Sequence, residues 1–389
     1  MTDQAITVGA ATVEFDVAVG TPMAGYIARE HPSAGTHDPV TARALVLAGS
    51  YAIVAVDVCV LHEETCAVIR RDAREIGLED VVVCATHTHS GPSVGCGRVG
   101  VHDERAHAAM LRAAGEAIRR AHESAEPCRA ELVEQYDLAI AYHRRHGHTV
   151  DVPIRAIRFI NARDSVVAVW ANFACHPVVL DATNILVSAD YPGYLRASLE
   201  RRYVGATCLF TTGAAGEVNS GHHASDSLRP TGGASRSFQR ASEIGDVLAT
   251  AAARPGRSTS LAHVRLVSED VELRYESDSP STPGPTHWRG RVSVLSLGSA
   301  TVVFLPGEPF NEWAELLLQQ IPTPWGFVTG YADGVPGYLP SRGAFDEGGY
   351  EVDAAHRYYG APGAFASDCS VVASQAVERA LERISEMEV

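Results

Sequence analysis

The sequence lacks the features that would place the chain in or on a membrane. No apolar run approaches the roughly 20 residues needed to cross a bilayer, and no basic amphipathic helix offers a surface anchor. The amino terminus, Met1-Thr2-Asp3-Gln4, has neither the basic start nor the apolar run of a secretory signal. These absences predict a cytoplasmic protein without a membrane partner.

The sequence has fewer basic residues than acidic ones. The chain has 32 Lys+Arg against 47 Asp+Glu and a formal net charge of −15, so most of its surface repels a phosphate backbone. Nucleic acid is therefore not expected as a partner. A small-molecule substrate is expected instead, and homo-oligomerisation is left open.

The eight cysteines include no CxxC pair, which disfavours a structural zinc of the cysteine-rich type. Four of them lie in or beside apolar strand-like runs: Cys59, Cys84, Cys175 and Cys208. Reduced thiols pack there as small hydrophobes, so a disulfide framework is not expected.

Apolar strand-like runs alternate with helical patterns, which is typical of an α/β layer protein. At 389 residues, the chain is long enough for one large domain or two packed lobes. The predicted strands are Ala52–Val60, Val81–Ala85, Ile154–Ile160, Val166–Phe173, Ala206–Thr212, Leu261–Val271, Val292–Leu297, Thr301–Leu305 and Phe327–Thr329. The predicted helices are Glu63–Ile76, Asp103–Glu123, Tyr191–Arg202, Phe238–Ala253, Pro309–Gln320 and Ser370–Met387. We therefore expect mixed β-sheet layers flanked by helices, with polar loops at His222–Arg236 and Glu276–Thr286.

Residues capable of chemistry follow several of these strands directly. In chain order they are His87 and His89, His176, Glu217 and Asn219, Glu308, and Tyr338. Ligands gather at the carboxyl ends of strands in α/β sheets, so we expect a site at that edge.

The histidine pair is spaced as on an extended segment. His87 and His89 should point to opposite sides unless the chain turns at Ser90-Gly91-Pro92, so one is expected to be a ligand and the other a neighbour. Glu308 begins a predicted helix, where the helix dipole alone also favours an acidic residue. Together with His176, these residues form the histidine and carboxylate set that zinc prefers.

The run Ala85-Thr86-His87-Thr88-His89-Ser90-Gly91-Pro92 resembles the most distinctive motif of the neutral/alkaline ceramidases. Asn172-Phe-Ala-Cys-His-Pro177, Leu305-Pro-Gly-Glu308 and Gly337-Tyr338 follow in the family's order. The resemblance implies one catalytic domain over residues 1–389, without the family's carboxyl-terminal immunoglobulin-like domain.

The resemblance also implies a role for each site residue. The zinc ligands would be His87, His176, Glu308 and Tyr338; His89 and Tyr350 would be catalytic, and Arg144 would bind substrate. Asn219 replaces a serine of the family's Gly-Asp-Val-Ser loop, so it is expected to bind substrate or to cap the Gly-rich turn.

The implied function is a zinc-dependent hydrolase that cleaves an N-acyl amide bond. Zinc lowers the pKa of its water to about 7 and polarises a carbonyl, so hydrolysis does not need the missing serine. An acidic chain without a membrane anchor favours a small soluble N-acyl compound over ceramide. The polar segments His143–His148 and His222–Arg236 would suit a hydroxylated or amino-sugar-like substrate, or are solvated surface loops. Two alternatives stay open: a zinc-dependent lyase or isomerase of a hydroxylated or sugar-like substrate, and a non-catalytic metal- or ligand-binding homologue.

Overall fold

A computed structural model describes residues 5–224, 235–259, 261, 263–276 and 285–387. The predicted loops His222–Arg236 and Glu276–Thr286 lie largely outside these residues. None of the helices in the described ranges is long and apolar enough to cross a membrane.

In chain order the strands are β1 (Ile6–Glu14), β2 (Gly35–Thr36), β3 (Thr41–Leu47), β4 (Tyr51–Val56), β5 (Asp80–Ala85), β6 (Glu126–Gln135), β7 (Tyr142–His143), β8 (His148–Thr149), β9 (Ile154–Asn161), β10 (Val166–Phe173), β11 (Leu186–Val187), β12 (Thr207–Thr212), β13 (Val218–Asn219), β14 (Arg257–Thr259), β15 (Val264–Arg274), β16 (His287–Leu297), β17 (Ala300–Phe304), β18 (Glu308–Pro309), β19 (Trp325–Thr329) and β20 (Tyr338–Leu339). The α-helices are α1 (Glu63–Glu75), α2 (Glu104–Glu123), α3 (Tyr191–Arg202), α4 (Phe238–Ala252), α5 (Asn311–Leu318), α6 (Ala344–Glu347) and α7 (Cys369–Met387). A π-helical turn at Tyr350–Ala354 leads into a 3-10 helix at Ala355–Tyr359.

Two mixed sheets pack face to face. The larger runs in the order β12-β10-β9-β6-β1-β3-β4-β5, with β14 also paired to β6, and the smaller runs β15-β16-β17-β19. The side chains between them include Leu45 and Leu47 of β3 and the aromatic residues Trp170, Phe304 and Phe327. Alternate side chains of a strand point to opposite faces, so the other face of β3 needs a cover of its own.

Helices provide that cover on both outer faces. Helix α2 lies on β1 and β3, α3 and α4 lie over β12 and β9, and α7 lies on β15 and β16. Helix α2 comes very close because Gly9 lacks a side chain: a Cβ there would lie 1.9 Å from the carbonyl oxygen of Ala121. The predicted fold of mixed sheets flanked by helices is confirmed.

The carboxyl ends of several strands meet at one edge of the two sheets. The pairs β4–β5, β10–β12 and β17–β19 are parallel, so their following loops leave in common directions. Backbone hydrogen bonds join these loops: the N–H of Ala85 donates to the carbonyl of Tyr331 at 3.0 Å, and that of Gly330 to Thr212 at 3.0 Å. This edge holds the residues singled out in the sequence.

Candidate metal centre

His87 follows β5 with its backbone in the left-handed region, at φ 65°. Its Nδ1 lies 2.7 Å from the carbonyl oxygen of Cys59, so this nitrogen donates there and Nε2 is the atom that faces the cluster. The Nε2 of His89 lies 3.1 Å from that of His87. The expectation that the two rings diverge is therefore wrong, because the left-handed backbone at His87 itself, before Ser90-Gly91-Pro92, breaks the alternation of an extended strand.

His176 and Glu308 complete the cluster from two other loops. His176 follows β10, and both its backbone N–H and its Nδ1 lie 3.0 Å from the carbonyl oxygen of Val218. Its Nε2 therefore faces Glu308, at 2.9 Å from Oε2. The same Oε2 lies 3.3 Å from the Nε2 of His87, and the three side chains are buried.

Glu308 lies in a two-residue strand, β18, rather than at the start of a helix as predicted. Strand β18 pairs in parallel with β20, and Glu308 and Tyr338 are partners in this register. The hydroxyl of Tyr359 donates to Oε1 of Glu308, which leaves Oε2 to the two histidines. Tyr338 therefore lies next to Glu308 across this pair of strands, and its role as the fourth ligand stays a prediction.

The donor set fits a divalent cation. One ligand atom from each of His87, His176 and Glu308 lies within 4.8 Å of the other two. In a tetrahedral zinc site with metal–ligand distances of roughly 2.1 Å, the ligand atoms lie about 3.4 Å from one another. Oε2 of Glu308 lies at a similar distance from the two histidines, 2.9 Å from Nε2 of His176 and 3.3 Å from Nε2 of His87. Each histidine has its other nitrogen bonded to a backbone carbonyl, the support that metal-binding imidazoles usually have.

The electrostatics of the cluster also suit a cation. Burial lowers the pKa of His87, but the Glu308 carboxylate and the contact with Cys59 outweigh it and raise this pKa to about 10. Burial, and then the charge of Arg144, lower the pKa of His176 to about 4. A cation bound here takes the place of the one proton that His87 and Glu308 hold between them.

His89 is held against the cluster by the amino-terminal segment. The guanidinium of Arg29 donates to its backbone carbonyl at 2.7 Å, and the ring of Tyr26 lies edge-on at 4.9 Å. Gly25, at φ 105°, has to be a glycine because a Cβ there would lie 2.5 Å from the imidazole of His89. Burial keeps the pKa of His89 well below its usual value, so its ring is neutral.

Arg144 lies behind Tyr338 in a buried network. Its Nε donates to Oε1 of Glu351 at 2.9 Å, and its Nη2 donates to the hydroxyl of Tyr338 at 3.0 Å. Arg145 donates to the other oxygen of Glu351 at 3.1 Å. The predicted substrate-binding arginine therefore also orients a predicted zinc ligand.

A cavity of about 380 Å³ opens beside this network. Most of its lining residues carry a polar or charged group: Arg144, Arg145, His146, His223, Ala224, Glu347, Gly348, Gly349, Tyr350 and Glu351. Tyr350 begins the π-helical turn, and its ring lies 6.1 Å from that of Tyr338. The predicted catalytic tyrosine thus stands between the cavity and the cluster.

The loop that carries Asn219 has a clear structural role. The Oδ1 of Asn219 accepts the N–H groups of Gly221 and His222 at 2.9 and 3.2 Å, and its Nδ2 donates to the carbonyl of His222 at 2.8 Å. Glu217 turns the other way and caps α5, accepting the N–H groups of Asn311 and Glu312. These bonds favour the turn-capping interpretation of Asn219, and substrate binding stays a prediction.

Asn219→Ala is accordingly expected to destabilise the protein by about 1–3 kcal/mol, because the buried Asn219 side chain makes three hydrogen bonds that hold the turn. Zinc content should not change. Thermal unfolding and elemental analysis measure the two effects, with Asn184→Ala as a matched loop control. An unchanged melting temperature together with altered substrate preference would instead support the substrate-binding role.

The sequence prediction missed two tyrosines of the cluster. Tyr359 donates to Glu308, and Tyr331 stacks on the ring of His87 at 4.2 Å. Neither residue belongs to a local sequence motif: Tyr331 lies in the loop after β19, and Tyr359 ends the 3-10 helix. The Gly330-Tyr331 step after β19 was the available signal.

Comparison with known proteins agrees with this geometry. A family model described as neutral/alkaline non-lysosomal ceramidase, N-terminal, matches residues 6–221, more than half of the chain. The chain belongs to the neutral/alkaline non-lysosomal ceramidase family. This confirms the resemblance found in the sequence.

Individual ceramidases are similar over different shares of the chain. Neutral ceramidase A of Dictyostelium discoideum is 27% identical over 247 residues, which is 54% of this chain and 34% of that protein. The crystal structure of neutral ceramidase from Pseudomonas aeruginosa superposes with a TM-score of 0.83 at 16% identity, covering 99% of this chain and 75% of that one. A structure of ceramidase complexed with C2 gives 0.81 at 16% identity, covering 99% and 76%. The chain thus spans about a third of the Dictyostelium protein's length and has the ceramidase fold.

Proposed function

We propose that this ceramidase-family chain is a zinc-dependent hydrolase that cleaves an N-acyl amide bond in a small, soluble, polar substrate. The observation that carries the proposal is the buried cluster of His87, His176 and Glu308, whose free donor atoms converge within a ceramidase fold. Similar proteins are named ceramidases, and ceramide is itself an N-acyl compound. Tyr338, the register partner of Glu308, would be the fourth ligand.

Zinc bound here would supply a Lewis acid for the scissile carbonyl and would lower the pKa of a water molecule. His89, neutral and adjacent to His87, would carry the proton from that water to the leaving amine. Tyr350 would donate a hydrogen bond to the carbonyl oxygen, where negative charge develops. Its pKa is raised, chiefly by burial, so the phenol stays protonated as this role requires.

The cavity beside Tyr350 supports a polar substrate. Arg145, His146 and Glu347 offer donors and acceptors, and the lining residues that the structure describes include no long aliphatic side chain. A long acyl chain would gain little free energy by burying its methylene groups against these polar side chains. Hydroxyl and amide groups would find partners there, which favours a hydroxylated or sugar-like N-acyl compound.

Short soluble N-acyl compounds, such as N-acetylated amino sugars, are expected to be better substrates than long-chain ceramide in detergent micelles. The test measures release of the free amine and incorporation of ¹⁸O from labelled water into the carboxylate product. The label in the carboxylate supports hydrolysis. Product formed without the label would point to lyase or isomerase chemistry, and ceramide turnover equal to that of soluble amides would contradict the substrate class.

A further inference from the structure

Tyr331 packs directly on the candidate metal ligands although no motif pointed to it. Its ring stacks on the imidazole of His87, with centroids 4.2 Å apart and planes inclined by 27°. It also meets the ring of His176 edge-on at 6.0 Å. The side chain is completely buried, as enclosed as the ligands themselves.

The backbone of Tyr331 is held in a conformation that bulky residues avoid. Its φ is 56°, in the left-handed region. Its N–H donates to the carbonyl of Gly307 at 2.9 Å, and its own carbonyl accepts the N–H of Ala85 at 3.0 Å. These two bonds tie it to the loops that carry Glu308 and His87. Strain of this kind persists where the surroundings enforce it, and it concentrates at functional sites.

The hydroxyl of Tyr331 has no hydrogen-bond partner among the described residues. Buried tyrosine hydroxyls usually have one. The two neighbouring tyrosines follow the rule, since Tyr359 donates to Glu308 and Tyr338 accepts from Arg144. An unpaired donor beside a polar cluster suggests an acceptor that the protein alone does not provide.

We propose that Tyr331 is a positioning residue of the metal centre, with a separate task for its ring and its hydroxyl. The ring holds the imidazole of His87 in the plane that its ligand role requires. The hydroxyl donates to an oxygen acceptor that is present only when the centre is loaded with zinc. This inference rests on the proposed zinc site and goes beyond it, because it assigns a residue that contributes no ligand atom.

Two substitutions separate the ring from the hydroxyl. Tyr331→Phe removes the hydroxyl alone, so the metal-free protein should melt at the same temperature or up to about 3 °C higher, since an unpaired buried polar atom disappears. Its zinc affinity, measured by competition with a chelator, should fall about two- to tenfold, the loss of one hydrogen bond. Tyr331→Leu also removes the stacked ring and should weaken zinc binding by about 10- to 100-fold, as loss of a ligand's support does.

Tyr51→Phe is the matched control. The hydroxyl of Tyr51 donates to Glu79 at 3.0 Å, far from the centre, so its removal should lower the melting temperature and leave zinc affinity unchanged. If wild-type protein binds zinc but Tyr331→Phe binds it equally well, or if metal-free Tyr331→Phe melts lower, the role of Tyr331 is refuted. Wild-type protein that binds no zinc would refute the metal centre itself, a different and distinguishable result.

Discussion

His87→Ala and His176→Ala are each expected to weaken zinc binding by at least about 10³-fold, from one zinc per wild-type chain to none after dialysis. Each substitution removes one of two imidazoles that converge on Oε2 of Glu308 at 3.3 and 2.9 Å. One histidine, the Glu308 carboxylate and the proposed fourth ligand Tyr338 are too weak a set to retain zinc through dialysis. Elemental analysis of protein purified without chelator measures the outcome.

His89→Ala should behave differently, keeping zinc and losing turnover by about 10²- to 10⁴-fold, the usual contribution of a general acid–base residue. His89 neighbours His87 but is not part of the group formed with His176 and Glu308. Equal zinc loss in all three variants would show that His89 is a ligand. His89 does form a buried group with Cys59 and His87, which makes its variant the deciding one. His102→Ala is the control, because His102, Glu104 and His107 form a separate group near the surface that could retain zinc.

Much of the fold was predictable because buried strands have continuous apolar runs. Val81–Ala85 and Val166–Phe173 were placed within one residue of β5 and β10. Strand β6 was missed because polar residues alternate with apolar ones in Glu126–Gln135, and only four of its ten residues are buried. Strand β18 was predicted as the start of a helix because a two-residue strand forms only through its partner. That partner, β20, lies 30 residues later in the sequence.

The part of the candidate site that follows the ends of strands was predictable from the sequence. His87, His176 and Glu308 meet as the strand-end argument expected, since parallel neighbours bring their carboxyl ends together. The direction of His89 was not predictable, because it depends on one left-handed residue that is not glycine. Tyr331 and Tyr359 were not predicted for a similar reason: their contacts with His87 and Glu308 join segments that are remote in sequence.

Arg144→Ala is expected to destabilise the protein by about 3 kcal/mol, the lower range for breaking a buried ion pair. Arg145 still pairs with Glu351 at 3.1 Å, which limits the loss, but the hydroxyl of Tyr338 loses its donor. Turnover should fall by more than about 100-fold, since both a predicted ligand and the proposed substrate cavity are disturbed. Chemical unfolding and the separate values of kcat and KM measure the two effects.

Two further variants locate the cause. Arg144→Lys retains the charge but not the planar fork that reaches Glu351 and Tyr338 together, so it should recover much of the stability and little of the turnover. Arg145→Ala also removes a partner of Glu351 but leaves Tyr338 untouched, so it should raise KM through the cavity and spare kcat. If Arg144→Lys restores full turnover, then positive charge alone suffices and the orientation of Tyr338 by Arg144 is not required.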